Sequence, residues 1–328
     1  MTRGLFPALG VLATASVVVA LATGSVAIPP ERLLALLTGE AAPLDRALVL
    51  ELRLPRALAA FAVGGLLALA GALMQVLLRN PLADPYILGI SGGAACAALG
   101  AMLLGLGAAW VSGSAFAGAL LAMLLVFALG RGGGDWSPTR LLLTGVVIAA
   151  GWGAVISFLL ATSPDRSLPG MLFWLMGDLG AGATTAVGPG LGWAILAAGL
   201  AAALALSGQL NVLAHGDLAA RSLGIELARL RGAVYLLASL LTATAVTLAG
   251  TIGFVGLVTP HMLRLLGLTD HRRLLPACVL LGGALLLFAD TAARTLLAPR
   301  QLPTGVVTAL IGVPLFLYLL RRGDGRHV

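Results

Sequence analysis

Long apolar runs, separated by clusters of Pro, Gly and Arg, follow one another along the whole chain. Each run has about 20 residues, the length of a helix that crosses a bilayer. The runs are continuous, whereas a membrane β-barrel shows alternating segments of about 10 residues. The pattern therefore predicts an all-α, polytopic membrane protein in a single transmembrane domain, residues 1–328. About ten transmembrane helices are predicted, at residues 5–27, 55–78, 87–108, 112–130, 140–161, 187–207, 230–250, 252–268, 275–295 and 303–321.

The first run begins with a basic residue and ends in small residues, as a secretory signal peptide does. Its apolar core of about 20 residues exceeds the roughly 7–15 residues of a signal peptide core, so we interpret it as the first transmembrane helix. The two longest connections, residues 28–54 and 162–186, each have room for a short surface helix.

Composition and charge support this class of protein. Hydrophobic residues make up 59% of the chain and charged residues 10%, against roughly 25% charged residues in soluble domains. The net charge of +7 comes from arginines that lie mostly at the ends of apolar runs, which is typical of topology-determining charges rather than of a nucleic-acid surface. With the N-terminus inside, thirteen arginines fall on the inner side and seven on the outer side, which predicts that both termini are cytoplasmic.

Several enzymatic motifs are missing from the sequence. The chain has no lysine, so it has no P-loop, whose lysine contacts nucleotide phosphates. Any ATP-driven work must then come from a partner protein. No H-E-x-x-H motif is present, and Cys96 and Cys278 have no disulfide or metal-ligand spacing. We therefore expect no catalytic residue, cofactor or metal in this chain.

One segment matches a catalytic pattern. GISGG, residues 89–93, fits the G-x-S-x-G nucleophile elbow, and His261 is a conceivable base for Ser91. The elbow requires a strand followed by a helix, and nothing here is typical of a strand. A Gly/Ser-rich patch is more often a close contact between membrane helices, so an intramembrane serine protease is the less favoured interpretation.

The most densely charged internal stretch is HGDLAARSLGIELARLRG, residues 215–232. Asp217 after Gly216 is a candidate helix N-cap. Gly224 is able to end that helix in the left-handed conformation, and a second helix can begin near Ile225 and lead into the seventh span. The pattern predicts two short helices that meet at Gly224.

Prolines and polar residues mark several other breaks. Asn80, Pro81, Asp84 and Pro85 form a stiff turn in which Asn80 or Asp84 is a candidate cap. A second glycine-rich segment contains Pro260 and His261, and a Gly/Pro-interrupted span ends the chain. We keep these residues as candidates for structural turns or for the pathway.

Four segments together resemble the permease family of ABC importers for iron–siderophore complexes, haem and cobalamin. They are RLPRALAAFAVGGLLALAGALMQVLLRNPLADPYILGISGGAA, LAARSLG, GFVGLVTPHMLRLLGLTDHRRLLP and LPTGVVTALIGVPLFLYLL. The resemblance covers about residues 50–322. It implies ten transmembrane helices per subunit and a homodimer with a central pathway. It also implies two separate ATP-binding cassette ATPase subunits on the cytoplasmic side, which bind the ATP and Mg²⁺, and a periplasmic or lipid-anchored binding protein outside.

The resemblance also implies roles for particular residues. Arginines at the outer ends of helices dock the binding protein in this family, which points to Arg53, Arg56 and Arg294. Interfacial arginines that extend toward lipid headgroups are the alternative. The charged stretch resembles the segment that couples to the ATPase, at about residues 211–229. Its implied coupling residues are Asp217, Leu218, Ala220, Arg221, Ser222, Leu223 and Gly224.

Ionisable residues within the apolar runs are few. Asp290 is the clearest intramembrane acid, which makes it a functional candidate, although pairing with Arg294 explains it equally well. The lack of further buried carboxylates argues against an ion-coupled secondary transporter, which is the second hypothesis. The sequence leaves open whether the ligand is a siderophore complex, haem or cobalamin.

Overall fold

The computed structural model describes residues 4–24, 26–39, 41–130, 137–182 and 188–323. Within these ranges the regular structure is helical and no strand is present, which confirms the all-α prediction. The α-helices are α1 (Leu5–Ala22), α2 (Pro30–Thr38), α3 (Pro43–Ala47), α4 (Leu54–Leu77), α5 (Ile90–Leu103), α6 (Ala108–Gly130), α7 (Pro138–Thr162), α8 (Leu168–Leu175), α9 (Leu179–Gly182), α10 (Gly188–Ala205), α11 (Ser207–Ala214), α12 (Asp217–Ser222), α13 (Leu227–Ala249), α14 (Val255–Leu265), α15 (His271–Thr295) and α16 (Thr304–Gly323).

Every predicted span coincides with a helix, but the helices differ in length. Among the described residues, six helices are long and apolar enough to cross a bilayer, and α10 with α11, bent by 60°, gives a seventh. By contrast, α5 has 14 residues and α14 has 11, fewer than the roughly 20 that a membrane-spanning helix needs. The fold thus shows a polytopic membrane protein, and the number ten stays a prediction.

The backbone conformation explains why α14 is short. The preceding helix α13 ends at Ala249, before Gly250 with a φ of 65°. Phe254 then adopts a left-handed conformation with a φ of 70° immediately before α14 starts. Gly267, with a φ of 87°, follows its other end. The predicted span 252–268 was therefore too long, because hydropathy does not register these changes in backbone conformation.

Helix α4 lies at the centre of the molecule, where α13, α14 and α15 pack around it and nearly all its residues are buried. A Cβ added at Gly64 would overlap the carbonyl oxygen of Gly282 on α15, and one at Gly71 would overlap that of Gly256 on α14. Small residues let membrane helices approach this closely. The glycines of α4 therefore fix a tight three-helix unit with α14 and α15.

Both long connections contain short helices, as predicted. Residues 28–54 hold α2, α3 and a π-helical turn, Leu48–Arg53, that runs directly into α4. Residues 162–182 hold α8 and α9. Three of the thirteen arginines assigned to the inner side, Arg3, Arg131 and Arg326, lie outside the described residues. The sidedness of the chain stays a prediction.

Candidate functional site

Several polar and charged side chains contact Asp290, near the end of α15. We call Asp290, Arg56, Arg294, Gln301 and Thr304 the Asp290 cluster. The Asp290 carboxylate is fully buried. It accepts hydrogen bonds from Arg56 Nε at 3.1 Å and Nη2 at 2.9 Å, from Arg294 Nε at 3.1 Å and from Thr304 Oγ1 at 3.1 Å. Arg56 Nη1 also donates to Gln301 Oε1 at 3.1 Å. The cluster thus joins the start of α4, the end of α15 and the start of α16.

These contacts answer the question that the sequence left open about Asp290. Its carboxylate forms an ion pair with Arg294, four residues later on the same helix, and a second ion pair with Arg56, which is 234 residues away. Two arginines around one carboxylate leave a net charge of +1. Sequence reasoning missed Gln301 and Thr304, because no local pattern indicates contacts with residues on other helices.

Arg53 is placed differently from the other two candidate docking arginines. It is buried, and its guanidinium donates to the carbonyl oxygens of Leu21 at 2.6 Å, of Ala22 at 3.2 Å and of Val26. A cation at the end of a helix satisfies carbonyl groups that have no intrahelical partner. Arg53 therefore stabilises the end of α1, and its geometry gives no support to a docking role.

A pocket of about 410 Å³ lies beside the Asp290 cluster. Arg53, Arg56 and Arg294 all line it, so the fold brings the three predicted docking arginines together. The side chains of Arg56 and Arg294 are only 12% and 10% exposed. A partner would therefore have to insert a side chain into the pocket to contact them.

A second set of charged side chains lies at the other end of α4. We call Asp217, Arg231 and Arg79 the Asp217 cluster. Asp217 Oδ1 accepts hydrogen bonds from Arg231 Nη2 at 2.7 Å and from Arg79 Nη1 at 3.4 Å. The predicted N-cap role of Asp217 was wrong, because Asp217 is the first residue of α12 and Gly216, without a capping side chain, precedes it. The carboxylate instead connects α12 to α13 and to the end of α4.

The predicted break at Gly224 is present. Gly224 has a φ of 75°, and its N–H donates to the carbonyl of Arg221 at 3.0 Å, while the N–H of Ile225 donates to that of Ala220 at 3.0 Å. The segment after the break leads into the seventh predicted span, as expected, but the second helix is not short. It is α13, which continues for 23 residues because no proline or left-handed glycine follows until Gly250.

Helix α12 presents apolar side chains to its surroundings. Leu218 is 86% exposed and Leu223, directly after the helix, is 69% exposed. Arg221 and Ser222 are also exposed, whereas Ala220 is buried against the rest of the protein. The segment 211–229 therefore packs through one face and leaves two leucines largely exposed.

The proline-rich turn after α4 has side-chain hydrogen bonds to the backbone at two positions. Asn80 Oδ1 accepts from the N–H of Leu82 at 2.9 Å. Asp84 Oδ1 accepts from the N–H of Tyr86 at 2.8 Å and caps a 3-10 turn, Pro85–Leu88. Asn80 and Pro81 also line a pocket of about 290 Å³ near the Asp217 cluster. Of the two candidate caps, Asp84 is confirmed, whereas Asn80 accepts a hydrogen bond within a turn that begins no helix.

The geometry gives no support to the protease alternative. Ser91 lies in the first turn of α5, which follows a 3-10 turn rather than a strand. No hydrogen bond joins Ser91 to His261 in the part of the chain that is described, and the His261 ring packs against Phe316 at a centroid distance of 5.7 Å. Pro260 lies inside α14 next to that histidine.

The apolar helices and the two charged clusters at opposite ends of the central helix α4 are those of a polytopic membrane protein. The chain belongs to the FecCD transport family, which matches residues 12–322, and it is a permease subunit of an ABC importer rather than an enzyme. Such subunits work with ATPase and substrate-binding partners.

Individual relatives agree with this assignment. The chain is 43% identical over 276 residues to the cobalamin import system permease of Halobacterium salinarum, covering 84% of this chain and 73% of the relative. It is 45% identical over 291 residues to the vitamin B12 import system permease of Serratia proteamaculans, covering 87% and 84%. An inward-facing structure described as a metal-chelate type ABC transporter superimposes with a TM-score of 0.84 at 30% identity, covering 98% of this chain and 99% of that one.

Proposed function

We propose that this chain is the membrane-spanning subunit of an ATP-driven importer that moves a bulky metal chelate inward by alternating access. Two copies form a homodimer around a central pathway, two ATP-binding cassette subunits bind on the cytoplasmic side, and a binding protein delivers the chelate from outside. The observation that carries the proposal is the family match across residues 12–322 in a chain that has no lysine for a P-loop of its own.

The ligand that we propose is cobalamin or a corrinoid of similar size. The support is the 43% and 45% identity to permeases that are named for cobalamin and vitamin B12 import. Iron–siderophore complexes and haem are the other outcomes of the test, since the structural neighbour is described only as a metal-chelate type.

We propose that α12 and the residues around it contact the ATPase. Exposed apolar side chains such as Leu218 and Leu223 are typical of an interaction site when charged residues surround them. Asp217 connects this helix to α13 through the short contact with Arg231 and to the end of α4 through the longer one with Arg79, so movement of α12 would reach both helices. The ATPase-coupling segment is then about residues 211–229.

The pocket beside the Asp290 cluster is the proposed docking site for the binding protein. Arg53, Arg56 and Arg294 line it together with one acidic residue, Glu51, and the guanidinium groups suit an acidic side chain. An acidic side chain inserted into the pocket would form a buried charge pair, whose loss mainly speeds dissociation. This assignment places the Asp290 end of α4 outside, the Asp217 end inside and both termini in the cytoplasm of a bacterial cell, in its inner membrane.

The function is tested with the permease, its ATPase and its binding protein in proteoliposomes. We expect uptake of radiolabelled cyanocobalamin only when ATP is supplied on the ATPase side, and competition by unlabelled cobalamin but not by a ferric siderophore or haem. An ATPase with a substituted P-loop lysine is the matched control. Uptake that needs no ATPase but follows a proton gradient would show an ion-coupled transporter instead.

A further inference from the structure

We infer that Asp290 is a positioning residue: its carboxylate holds the guanidinium groups of Arg56 and Arg294 so that their remaining N–H groups face the pocket in which the binding protein docks. The inference rests on the proposed docking function and adds to it a residue that itself contacts no partner. Asp290 is fully buried, so it acts only through the two arginines.

The hydrogen bonds define the orientation of each arginine. Arg56 uses its Nε–H and one Nη2–H on Asp290 and one Nη1–H on Gln301, which are three of the five N–H groups of a guanidinium. Arg294 uses its Nε–H on Asp290 and Nη2 on the Ala20 carbonyl and Thr291. Among the described residues, the other N–H groups are left for a ligand in the pocket.

The surroundings hold Asp290 itself in place. Thr304 is buried and donates its hydroxyl to Asp290 Oδ1. The N–H of Leu302 donates to the carbonyl of Ala293 at 2.9 Å, which ties the connection between α15 and α16 back to α15. The Asp290 carboxylate, the Thr304 hydroxyl and the Leu302 backbone therefore hold one another and the two arginines in place. Binding groups need such hydrogen-bonded neighbours to keep a defined geometry.

An acidic side chain from the partner would add to this cluster rather than displace Asp290. Displacement would leave a fully buried carboxylate without its ion pairs, which is strongly unfavourable. Addition instead brings a second carboxylate to two arginines that share the Asp290 carboxylate, in a pocket that Glu51 also lines. The hydrogen bonds of the cluster are therefore complete before docking.

Asp290→Asn separates positioning from electrostatics, because the two effects have opposite signs. The substitution removes a negative charge, so electrostatics alone predicts tighter docking. Positioning predicts looser docking, since a neutral amide holds two guanidinium groups weakly. We expect the purified substrate-binding partner of this permease to dissociate about 10-fold faster from the Asp290→Asn permease–ATPase complex in nanodiscs. Unchanged or slower dissociation would overturn the inference.

Two further variants make the test independent of folding and of the docking proposal. Thr304→Val keeps the shape and all charges but removes one hydrogen bond to Asp290, and we expect a dissociation rate raised about threefold. Arg56→Gln tests the docking site itself. If Arg56→Gln loses docking while the Asp290 and Thr304 variants dock normally, the positioning role of Asp290 is wrong and the docking site itself stands. Normal docking in Arg56→Gln would remove both.

A measurement without any partner examines the same contacts. In ¹⁵N-arginine-labelled permease, the Nε–H signals of Arg56 and Arg294 should exchange slowly with water and disappear in Arg56→Lys and Arg294→Lys, respectively. In Asp290→Asn both signals should exchange at least about 10-fold faster. Exchange as slow as in the native protein would mean that the arginines hold their positions without Asp290.

Discussion

The two ends of α4 carry the same kind of interaction in different surroundings. At the Asp290 end, a fully buried carboxylate holds two arginines that are 12% and 10% exposed. At the Asp217 end, the carboxylate side chain is 35% exposed; its contact with Arg231 is short, at 2.7 Å, but Arg79 is 48% exposed at 3.4 Å. Buried ion pairs tolerate little rearrangement, whereas exposed pairs contribute little and exchange easily with water. The difference indicates a fixed surface at one end of the helix and an adjustable one at the other.

The largest effect on stability should come from Asp290→Ala. The substitution leaves two mostly buried arginines beside each other without a counter-ion, and we expect a loss of about 3–5 kcal/mol. Thermal unfolding of the purified permease in nanodiscs measures the change. Asp290→Asn is the matched control and should lose less, because it keeps hydrogen-bond acceptors. A loss below about 1 kcal/mol in Asp290→Ala would mean that the Asp290 end is no more rigid than the other end.

A smaller loss, about 1 kcal/mol, is expected for Asp217→Ala. The variant removes the 2.7 Å contact with buried Arg231 as well as the weaker contact with Arg79. Arg79→Ala removes only the exposed contact and should cost less than about 0.5 kcal/mol. If Asp217→Ala destabilised the protein as much as Asp290→Ala, the contrast between the two ends of α4 would be wrong.

The start of α15 gives a pH-dependent effect. Asp270 caps that helix, and the pKa of its carboxyl is lowered by hydrogen bonds from the Asn211 side chain and the N–H of Arg272. A carboxyl with a lowered pKa stabilises the fold above its unfolded pKa, and that contribution is lost as the pH falls through the folded pKa. Native protein should therefore lose slightly more stability below pH 3.8 than Asp270→Asn, which keeps a cap but does not titrate. Parallel pH profiles would contradict this.

The smallest effect on stability is expected for Leu218→Glu, because the side chain is 86% exposed. Stability should change by less than about 0.5 kcal/mol. ATP-dependent uptake should nevertheless fall at least tenfold, since a charge replaces an apolar contact with the ATPase. Leu218→Met, which keeps that contact, should transport normally. Full uptake by Leu218→Glu would exclude Leu218 from the coupling surface.

Local features of this chain could be predicted from sequence, and contacts between distant helices could not. Each predicted apolar span coincides with a helix, Gly224 marked the break after α12, and Asp84 was found as a cap, because each depends on neighbouring residues. The pairing of Arg56 with Asp290 joins residues 234 positions apart, and Asp217 was assigned as a cap although its partners lie on α13 and after α4. Periodicity carries no information about such contacts.

The lengths of α5 and α14 also depend on backbone conformation that the apolar pattern does not predict. Both segments are apolar over a span-length window in the sequence, yet the helices have 14 and 11 residues. Left-handed residues, Gly89 before α5 and Phe254 before α14, set where each helix begins. Glycine is a plausible helix boundary from sequence, but a phenylalanine with positive φ is not, because tertiary contacts impose that conformation.

The most direct test of the account is the sidedness of the two ends of α4. In a variant with Cys96 and Cys278 replaced by Ala, single cysteines are introduced as Leu218→Cys beside the Asp217 cluster and Arg300→Cys beside the Asp290 cluster. A membrane-impermeant maleimide should label Arg300→Cys in intact spheroplasts and Leu218→Cys only after the membrane is opened. Labelling of Leu218→Cys from outside would contradict the account, because no cytoplasmic ATPase could then bind α12.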